Sequence, residues 1–535
     1  MEVTTLDFIP GTFAGELIDL FKTKDGVPYI TSNGKTFKIN GSEFKDYLNL
    51  GIFNETGDFL DEGQIRKITK KCDNFARLLG EIKPVFRRVG RDENGIYIDL
   101  GTPDFAVIEI TNHSVRRITN PPVKFIRSGI QRPIGGLSTE ALPKDLLLLK
   151  KYVPFKAEED FILFVAWLLS CLNPYGGYPP LFLVGEQGSA KSTTSAFIKN
   201  LLDESSVPLR NLSKGMKNFM IAASNDFILC HDNISKITDD QSDNICKLAT
   251  GAGFTTRKLY TTLEESQLNC KNPTVFNSIS ISPARQDLAD RSVIVALSFI
   301  PPEARKTDKE IWDSWQQDRP AIMGALCNAV SACLRNYDQV DEANLPRMAD
   351  FAKWVIAAEE RLPWEKGVFM ETMRNLRVKM VEDAVDADST AMAVIKMMKG
   401  RDIWAGNASE LLDRLEDCID QGKHKYPDFP KLPNQLSRNL NRISAFLREK
   451  GLQVDKRHSG QRFITITNLL LVHQACQETA EMSQQEAMEL VHDTFSGGVE
   501  VPEQPVGNRQ GEITEEVEDK VISTLPETSG NNSEF

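Results

Sequence analysis

A multidomain α/β architecture follows from three features of the sequence. The apolar run Pro180-Leu181-Phe182-Leu183-Val184 leads into Gly185-Glu186-Gln187-Gly188-Ser189-Ala190-Lys191-Ser192, and the residues from Ser192 to Leu202 read as a helix. Helix and strand patterns alternate over residues 151–300, as a sheet with crossover helices requires. Residues 402–468 carry a helix–helix–strand pattern that closes on a basic turn and a last strand. A length of 535 residues allows two to four domains.

In chain order, residues 1–150 read as an α+β module. Pro28-Tyr29-Ile30-Thr31 and Lys35-Thr36-Phe37-Lys38-Ile39 flank a Ser-Asn-Gly turn and predict a hairpin. Glu62 to Leu79 has helical spacing, whereas Gly95 to Leu100 and Phe105 to Ile110 read as strands. Asp99 has no second acid two residues on, so the metal pair of a primase is not visible. Phe161 to Leu172 is too short to span a bilayer and follows Glu158-Glu159-Asp160, which suits a buried helix with an acidic first turn. Residues 301–400 are predicted to be mostly helical and hold Trp312, Trp315, Trp354 and Trp364. Beyond about residue 475 the apolar periodicity ends, and an acidic, Gly/Pro/Ser-containing stretch predicts a disordered tail over 475–535. No internal repeat is present.

The composition, 41% apolar and 26% charged, is that of a soluble protein. The nine cysteines are scattered without a C-x-x-C pair, which fits a reducing cytoplasm and argues against a disulfide framework or a zinc module. The amino terminus shows no secretion signal. The net charge of −12 resides in the tail: residues 471–535 hold 14 Asp/Glu and 2 Lys/Arg, and the rest holds 61 of each sign. A nucleic-acid partner then needs only local basic patches.

The loop follows G-x-x-x-x-[G/A]-K-[S/T], with Ala190 in place of the more usual second glycine. Gly185 is expected to let the chain leave the strand in a conformation that other residues resist. Backbone N–H groups of Gly185 to Thr193 would converge on the phosphates of ATP, aided by the positive end of the next helix. Lys191 would reach the β- and γ-phosphates, and Ser192 would bind Mg²⁺. About 40 residues on, Asp226-Phe227-Ile228-Leu229-Cys230-His231-Asp232-Asn233 predicts a second strand, whose Asp232 is the metal-side carboxylate. Its neighbours His231 and Asn233 replace the usual water-activating glutamate; Asn233 can orient water but takes no proton. Asn277, ending the strand Pro273 to Ser278, can bond the γ-phosphate or the attacking water, or simply serve a turn. Arg291, before the apolar run Val293 to Leu297, is a candidate arginine finger for a neighbouring subunit, an effect of about 10³–10⁵ in rate where measured. A surface salt bridge is the alternative.

Loop, Asp232-Asn233, Asn277 and Arg291 together resemble the ATPase core of superfamily 3 helicases, AAA+-like ring motors of viruses, phages and plasmids. The resemblance implies a basic hairpin that grips DNA between the second and third strands. Phe254 to Thr262 and Gln267 to Lys271 supply one here, with Arg257, Lys258 and Lys271 near it. The sequence is also similar to a bacterial prophage and genomic-island family of primase–helicase-like ATP-binding proteins. Gly185 to Thr193, Lys247-Leu248-Ala249-Thr250-Gly251, Asp287-Leu288-Ala289-Asp290-Arg291 and Leu345 to Ala352 carry that likeness. It implies a role in element replication. With Arg291 completing a neighbour's site, the working form is expected to be a homo-oligomeric, hexameric ring.

In residues 402–468, Leu436, Leu440, Ile443 and Leu447 share one helix face, with Arg438, Asn439 and Arg442 off it. Gly451 to Val454 and Arg462 to Thr467 frame the turn Asp455-Lys456-Arg457-His458-Ser459-Gly460-Gln461, the order of a winged helix. Residues 431–462 hold eight Lys/Arg and two Asp/Glu. Phosphate contacts from Arg438, Arg442, Lys456 and Arg457 would give salt-dependent binding; a protein-binding wing is the alternative. The basic run Arg66 to Lys71 reads as a solvated face. The leading expectation is an ATP-driven motor that binds and unwinds DNA. A nucleotide-gated switch with weak hydrolysis, and a scaffold whose acidic tail recruits replication proteins, are the other readings.

Overall fold

A computed structural model describes residues 12–13 and 16–471, apart from 214, 252–253, 258–264, 269, 280–285, 342, 344, 387, 420–428 and 460. The tail expected over 475–535 lies outside the described residues. The chain is a multidomain α/β protein in two compact units: residues up to 392 with 441–446, and residues 393–440 with those from 447 on.

The larger unit opens on an antiparallel sheet. Its strands Glu16–Lys22, Pro28–Ser32 and Lys35–Lys38 lie side by side, and Glu81–Ile82 joins the first in parallel. Asn33 and Gly34 both take positive φ (47° and 76°), the pairing that matches hairpin twist. Strand Pro28–Ser32 alternates buried and half-buried residues, as one covered face demands. Ile30 and Phe37 pack there against Phe44, Leu48 and Ile52 of the helix Ser42–Thr56 and Cys72 and Ala76 of the helix Glu62–Leu78.

A second antiparallel sheet, Val89–Arg91, Ile96–Asp99, Val107–Ile110 and Val115–Ile118, has both faces covered. Tyr97 and Val107 pack on Val123 and Phe125. Ile96, Ile98, Ile108 and Ile110 enter the same apolar core as the helix Glu158–Ser170. No seam therefore exists at residue 150, where the sequence places one: the 3₁₀ helix Pro143–Lys151 runs up to it, and Leu146 and Leu149 are buried in that shared core. Asp99 is structural. Arg127 clamps it with Nη2 at 2.6 Å and Nε at 2.9 Å, and Gln131 adds a third donor.

The central sheet is parallel, in the order Leu229–Ile234, Thr274–Ser278, Leu181–Val184, Val293–Ala296. Successive side chains point to opposite faces. Leu181, Leu183, Cys230, Val275, Val293 and Val295 meet Phe197, Ile198, Leu201 and Leu202 of the helix Lys191–Leu202. Phe182, Leu229 and Phe276 face Phe219 of the helix Met216–Asn225 and Ile245 and Leu248 of the helix Asp239–Thr250. Helices Asp308–Asn336, Ala349–Ala358 and Val368–Asp386 follow. The buried indoles of Trp315 and Trp354 each find an acceptor, Asn200 Oδ1 at 2.7 Å and Leu169 O at 3.1 Å. Among the described residues no helix is long and apolar enough to cross a membrane.

The smaller unit holds three antiparallel strands with Gln461–Asn468 between Ile403–Gly406 and Leu452–Ser459. The strand Ile403–Gly406 is not evident in the sequence: Trp404 is its one bulky aromatic, and Gly406 ends it. The helix Ala408–Cys418 starts from an Asn407 cap, whose Oδ1 accepts from Ser409 N and Glu410 N while Glu410 returns to Asn407 N. Most of the expected basic turn is strand: pairing continues to Ser459↔Gln461, so Lys456 and Arg457 lie on a strand.

Candidate functional site

The strand Leu181–Val184 ends in a loop of residues 185–190 that feeds the helix Lys191–Leu202. Gly185 is needed for room, which corrects the expectation of an unusual backbone angle. Its φ is not positive, but a β-carbon there would stand 2.5 Å from Ser189 Oγ and 2.7 Å from Leu297 O. Gly188 is the loop glycine at positive φ, 87°. Ala190 sits at φ 57°, ψ 26° directly before the helix, a left-handed conformation that costs an L-residue roughly 1–2 kcal/mol. Glycine at that position would relieve the strain.

Lys191 Nζ lies inside the loop, donating to Gly185 O and Glu186 O at 2.7 Å each and to Ser189 Oγ at 3.2 Å. Burial holds its ammonium below the usual lysine range, and the Asp232 carboxylate opposes that. Ser192 Oγ donates to Asp232 Oδ2 at 2.9 Å. Asp232 Oδ1 accepts from Asn277 Nδ2 at 3.0 Å and from Asn233 N at 3.0 Å. Asn277 in turn accepts from Ser195 Oγ at 2.9 Å. Asn277 is 1% exposed and here orients Asp232. The register of Leu229–Ile234 against Thr274–Ser278 slips between His231 and Ile234, and Asn233 takes φ 56° within that irregularity. The kink presents the Asp232 carboxylate beside Ser192.

These groups fit a magnesium-bound triphosphate. A hydroxyl and a carboxylate converge on one point, a lysine ammonium rests among loop carbonyls, and a β-carbon at Gly185 would collide with the loop. Thr193 is half-buried in the first helical turn. Arg305 escaped the sequence reading. A β-carbon at Gly188 would lie 3.1 Å from its Nη2, so a cation stands against the loop. Nothing in its surroundings, Pro301-Pro302-Glu303-Ala304-Arg305, marks it as a partner of a loop more than a hundred residues earlier.

His231 points away from Asp232. It is 1% exposed and stacks between Phe219 (centroids 5.8 Å) and Phe276 (5.2 Å). Burial pushes its pKa down to about 4 from an ordinary 6.5. Between those pH values the unfolded chain binds the proton and the folded chain does not, so stability falls as pH drops through 6.5 toward 4. The loss at pH 5 is about 2 kcal/mol. His231→Phe keeps the ring stack and is expected to remove that part of the pH dependence. Urea midpoints of both proteins at pH 7 and pH 5 check this; equal pH dependence would refute it.

Val293 pairs with Leu181 and Ala296 with Val184, so Arg291 lies at the end of the sheet opposite the loop. It is half-buried, and Nη2 faces Asp287 Oδ1 at 3.3 Å. It is therefore turned away from the loop of its own chain.

The hairpin after the helix Asp239–Thr250 is present as Phe254–Arg257 against Glu265–Leu268, with Arg257 opposite Glu265. Lys258 and the Arg257 side chain lie outside the described residues. Lys271 lies past the hairpin with its ammonium 5.5 Å from the Tyr178 ring centre, not on the hairpin itself. In the smaller unit Arg438 and Arg457 are exposed and Asn439 is half-buried. Lys456 is turned inward, donating to Ser437 O at 2.8 Å; Arg442, which falls in the larger unit, pairs with Asp388 there at 2.5 Å. The basic surface is thus smaller than the sequence count of cations suggests.

Residues 145–361 match the family model of the actinomycete integrative conjugative element replication protein, and residues 390–481 match the AICE RepA C-terminal domain. No curated protein matches the chain. Among solved structures, one titled "SCCmec type IV Cch - active helicase" is similar with a TM-score of 0.45 and 13% identity, covering 86% of this chain and 94% of that one. The apo NrS-1 C-terminal region is similar with a TM-score of 0.38 and 11% identity, covering 84% and 96%.

Proposed function

From a chain that belongs to the AICE RepA replication proteins of integrative conjugative elements, its two matched regions together spanning more than half of it, we propose an ATP-hydrolysing motor that moves on and unwinds the element's DNA. The observation that carries this reading is the convergence of Lys191, Ser192 and Asp232 from the two strands that flank Thr274–Ser278, with Asn277 of that middle strand fixing the carboxylate. Ser192 and Asp232 would hold Mg²⁺, which supplies positive charge against the phosphate oxygens. Lys191 would exchange its loop carbonyls for phosphate oxygens. Asn277 keeps Asp232 aimed at the Ser192 hydroxyl, and its carbonyl is held by Ser195. Arg305 would neutralise charge from the same chain. Arg291, at the far end of the sheet, suits a neighbour's site, which implies a ring of subunits. The hairpin Phe254–Leu268 and a winged helix over 402–468, through Arg438 and Arg457, would hold DNA.

Steady-state ATP turnover with magnesium, with and without single-stranded DNA, tests the reading. Stimulation by DNA together with displacement of a paired strand is expected. A second reading, a nucleotide-gated switch, is favoured by one feature: Asp232 is flanked by a histidine turned to the other face and by Asn233, neither of which accepts the proton of an attacking water. Tight ATP retention without turnover would replace the motor with that switch.

A further inference from the structure

Tyr175 lies in the segment that leads to the strand Leu181–Val184, at the end of the sheet away from the phosphate loop. The residue is 52% exposed although two aromatic rings pack against it. It stacks on Tyr337 with centroids 4.9 Å apart and planes 28° apart, and meets Trp354 edge-on at 6.0 Å. Cations border this stack. The Arg91 guanidinium is 5.8 Å from the Tyr175 ring centre, and Lys353 Nζ is 4.5 Å from that of Tyr337. Lys271 stands 5.5 Å over the neighbouring Tyr178. Arg91 and Lys271 make no ion pair among the described residues. Burial, and then the nearby Arg91 charge, hold the Lys271 ammonium below its usual range. The Asp350 carboxylate partly offsets that pressure, and a phosphate would relieve it further. Asp350 is the acid at the margin, accepting from the Tyr337 hydroxyl at 3.4 Å.

The loop around Tyr175 is fixed. Tyr175 N donates to Asn173 Oδ1 at 2.9 Å, and Asn173 Nδ2 reaches Asp350 O at 3.3 Å. Tyr178 N donates to Ala249 O at 2.8 Å, beside Gly251, where the Lys271 stem packs. Gly251 and Lys271 are the two feet of the hairpin Phe254–Leu268. The stack is therefore continuous with the element expected to grip DNA.

We propose that Tyr175, backed by Tyr337 and flanked by Arg91 and Lys353, is a stacking platform for a base of single-stranded nucleic acid at the foot of the hairpin. An unpaired base packs against the exposed part of the Tyr175 side chain, beside the Arg91 guanidinium that stands over the ring, and the cations meet its phosphates. A paired duplex offers no free base face for such a stack, so the occupant is a single strand. The proposal rests on the nucleic-acid motor reading, and its test separates the two.

Full-length wild type, Tyr175→Ala, Tyr175→Phe and Arg91→Ala are titrated against fluorescein-labelled oligothymidylate by anisotropy. Retention of a fluorescent ATP analogue and the melting temperature are followed in parallel. Tyr175→Ala is expected to weaken oligothymidylate binding by about 5- to 150-fold, the range for losing one base–aromatic stack. Tyr175→Phe keeps the ring and is expected to bind as wild type does. Arg91→Ala is expected to lower the salt slope of log K by about one. ATP retention and melting stay unchanged in all. Oligothymidylate binding by Tyr175→Ala equal to wild type, or a loss equally large in Tyr175→Phe, overturns the platform and leaves the motor standing. A wild-type protein that retains ATP but binds no oligothymidylate overturns both.

Discussion

Lys191→Ala is expected to abolish magnesium-dependent ATP turnover, lowering it by at least about 10²-fold, the scale for removing a preorganised charge donor from a developing oxyanion. Two effects combine. The ammonium no longer meets the phosphates, and the loop loses the contacts from Nζ to Gly185 O, Glu186 O and Ser189 Oγ that hold it closed. Turnover and retention of a fluorescent ATP analogue measure both. The fold should survive, because the lysine is only partly buried and its alanine is a good helix former. Unchanged turnover would sink the site assignment.

Asp203→Asn is expected to destabilise the larger unit by about 3–5 kcal/mol, the scale for breaking a buried ion pair. Asp203 Oδ1 accepts from Arg88 Nε at 3.1 Å. Oδ2 accepts from Lys199 Nζ and Phe227 N at 2.9 Å and from Ile228 N at 2.8 Å. Every neighbour is a donor, so an amide, with one acceptor oxygen, must turn its NH₂ against one of them. The excess of positive charge also grows. Lys199 and Arg88 are buried, Asp226 is shared between Lys199 and Arg210, and two carboxylates serve three cations. With one carboxylate left, the excess positive charge is buried. A chemical denaturation curve checks this; a midpoint within the error of wild type would show that the network contributes nothing to stability.

Local chemistry explains what the sequence disclosed. The hairpin at Asn33-Gly34 needs two residues tolerant of positive φ, and they are adjacent in the chain. The helix Glu62–Leu78 is marked by its own periodicity and by the Asp61–Gln64 capping box. Ser192 follows Lys191, so one motif fixes both. Contacts that depend on distant segments were not legible. For Asn277 the sequence leaves open the γ-phosphate, the attacking water or a turn; the carboxylate it holds follows from its register beside Leu183 and the nearby kink at Asp232. Arg305 is brought to Gly188 by the return of the chain after the strand Val293–Ala296. Lys271, Lys456 and Arg442 count as cations in a composition, but folding commits each to a ring, a carbonyl or a carboxylate. The strand Ile403–Gly406 has only four residues and no alternation to announce it.

Arg88 is fully buried against Asp203, where the helix begun at Lys191 ends, and its Nη2 also reaches Arg132 O and Glu204 O. The end of the helix Lys191–Leu202 is thus closed by a side chain that enters the sequence more than a hundred residues earlier. A fragment starting at residue 150 is consequently an unfinished protein rather than a smaller one: it would keep every residue of the loop and lose the cation beneath it. Grafting residues 150–392 onto another amino-terminal partner succeeds only if the graft carries the second sheet along.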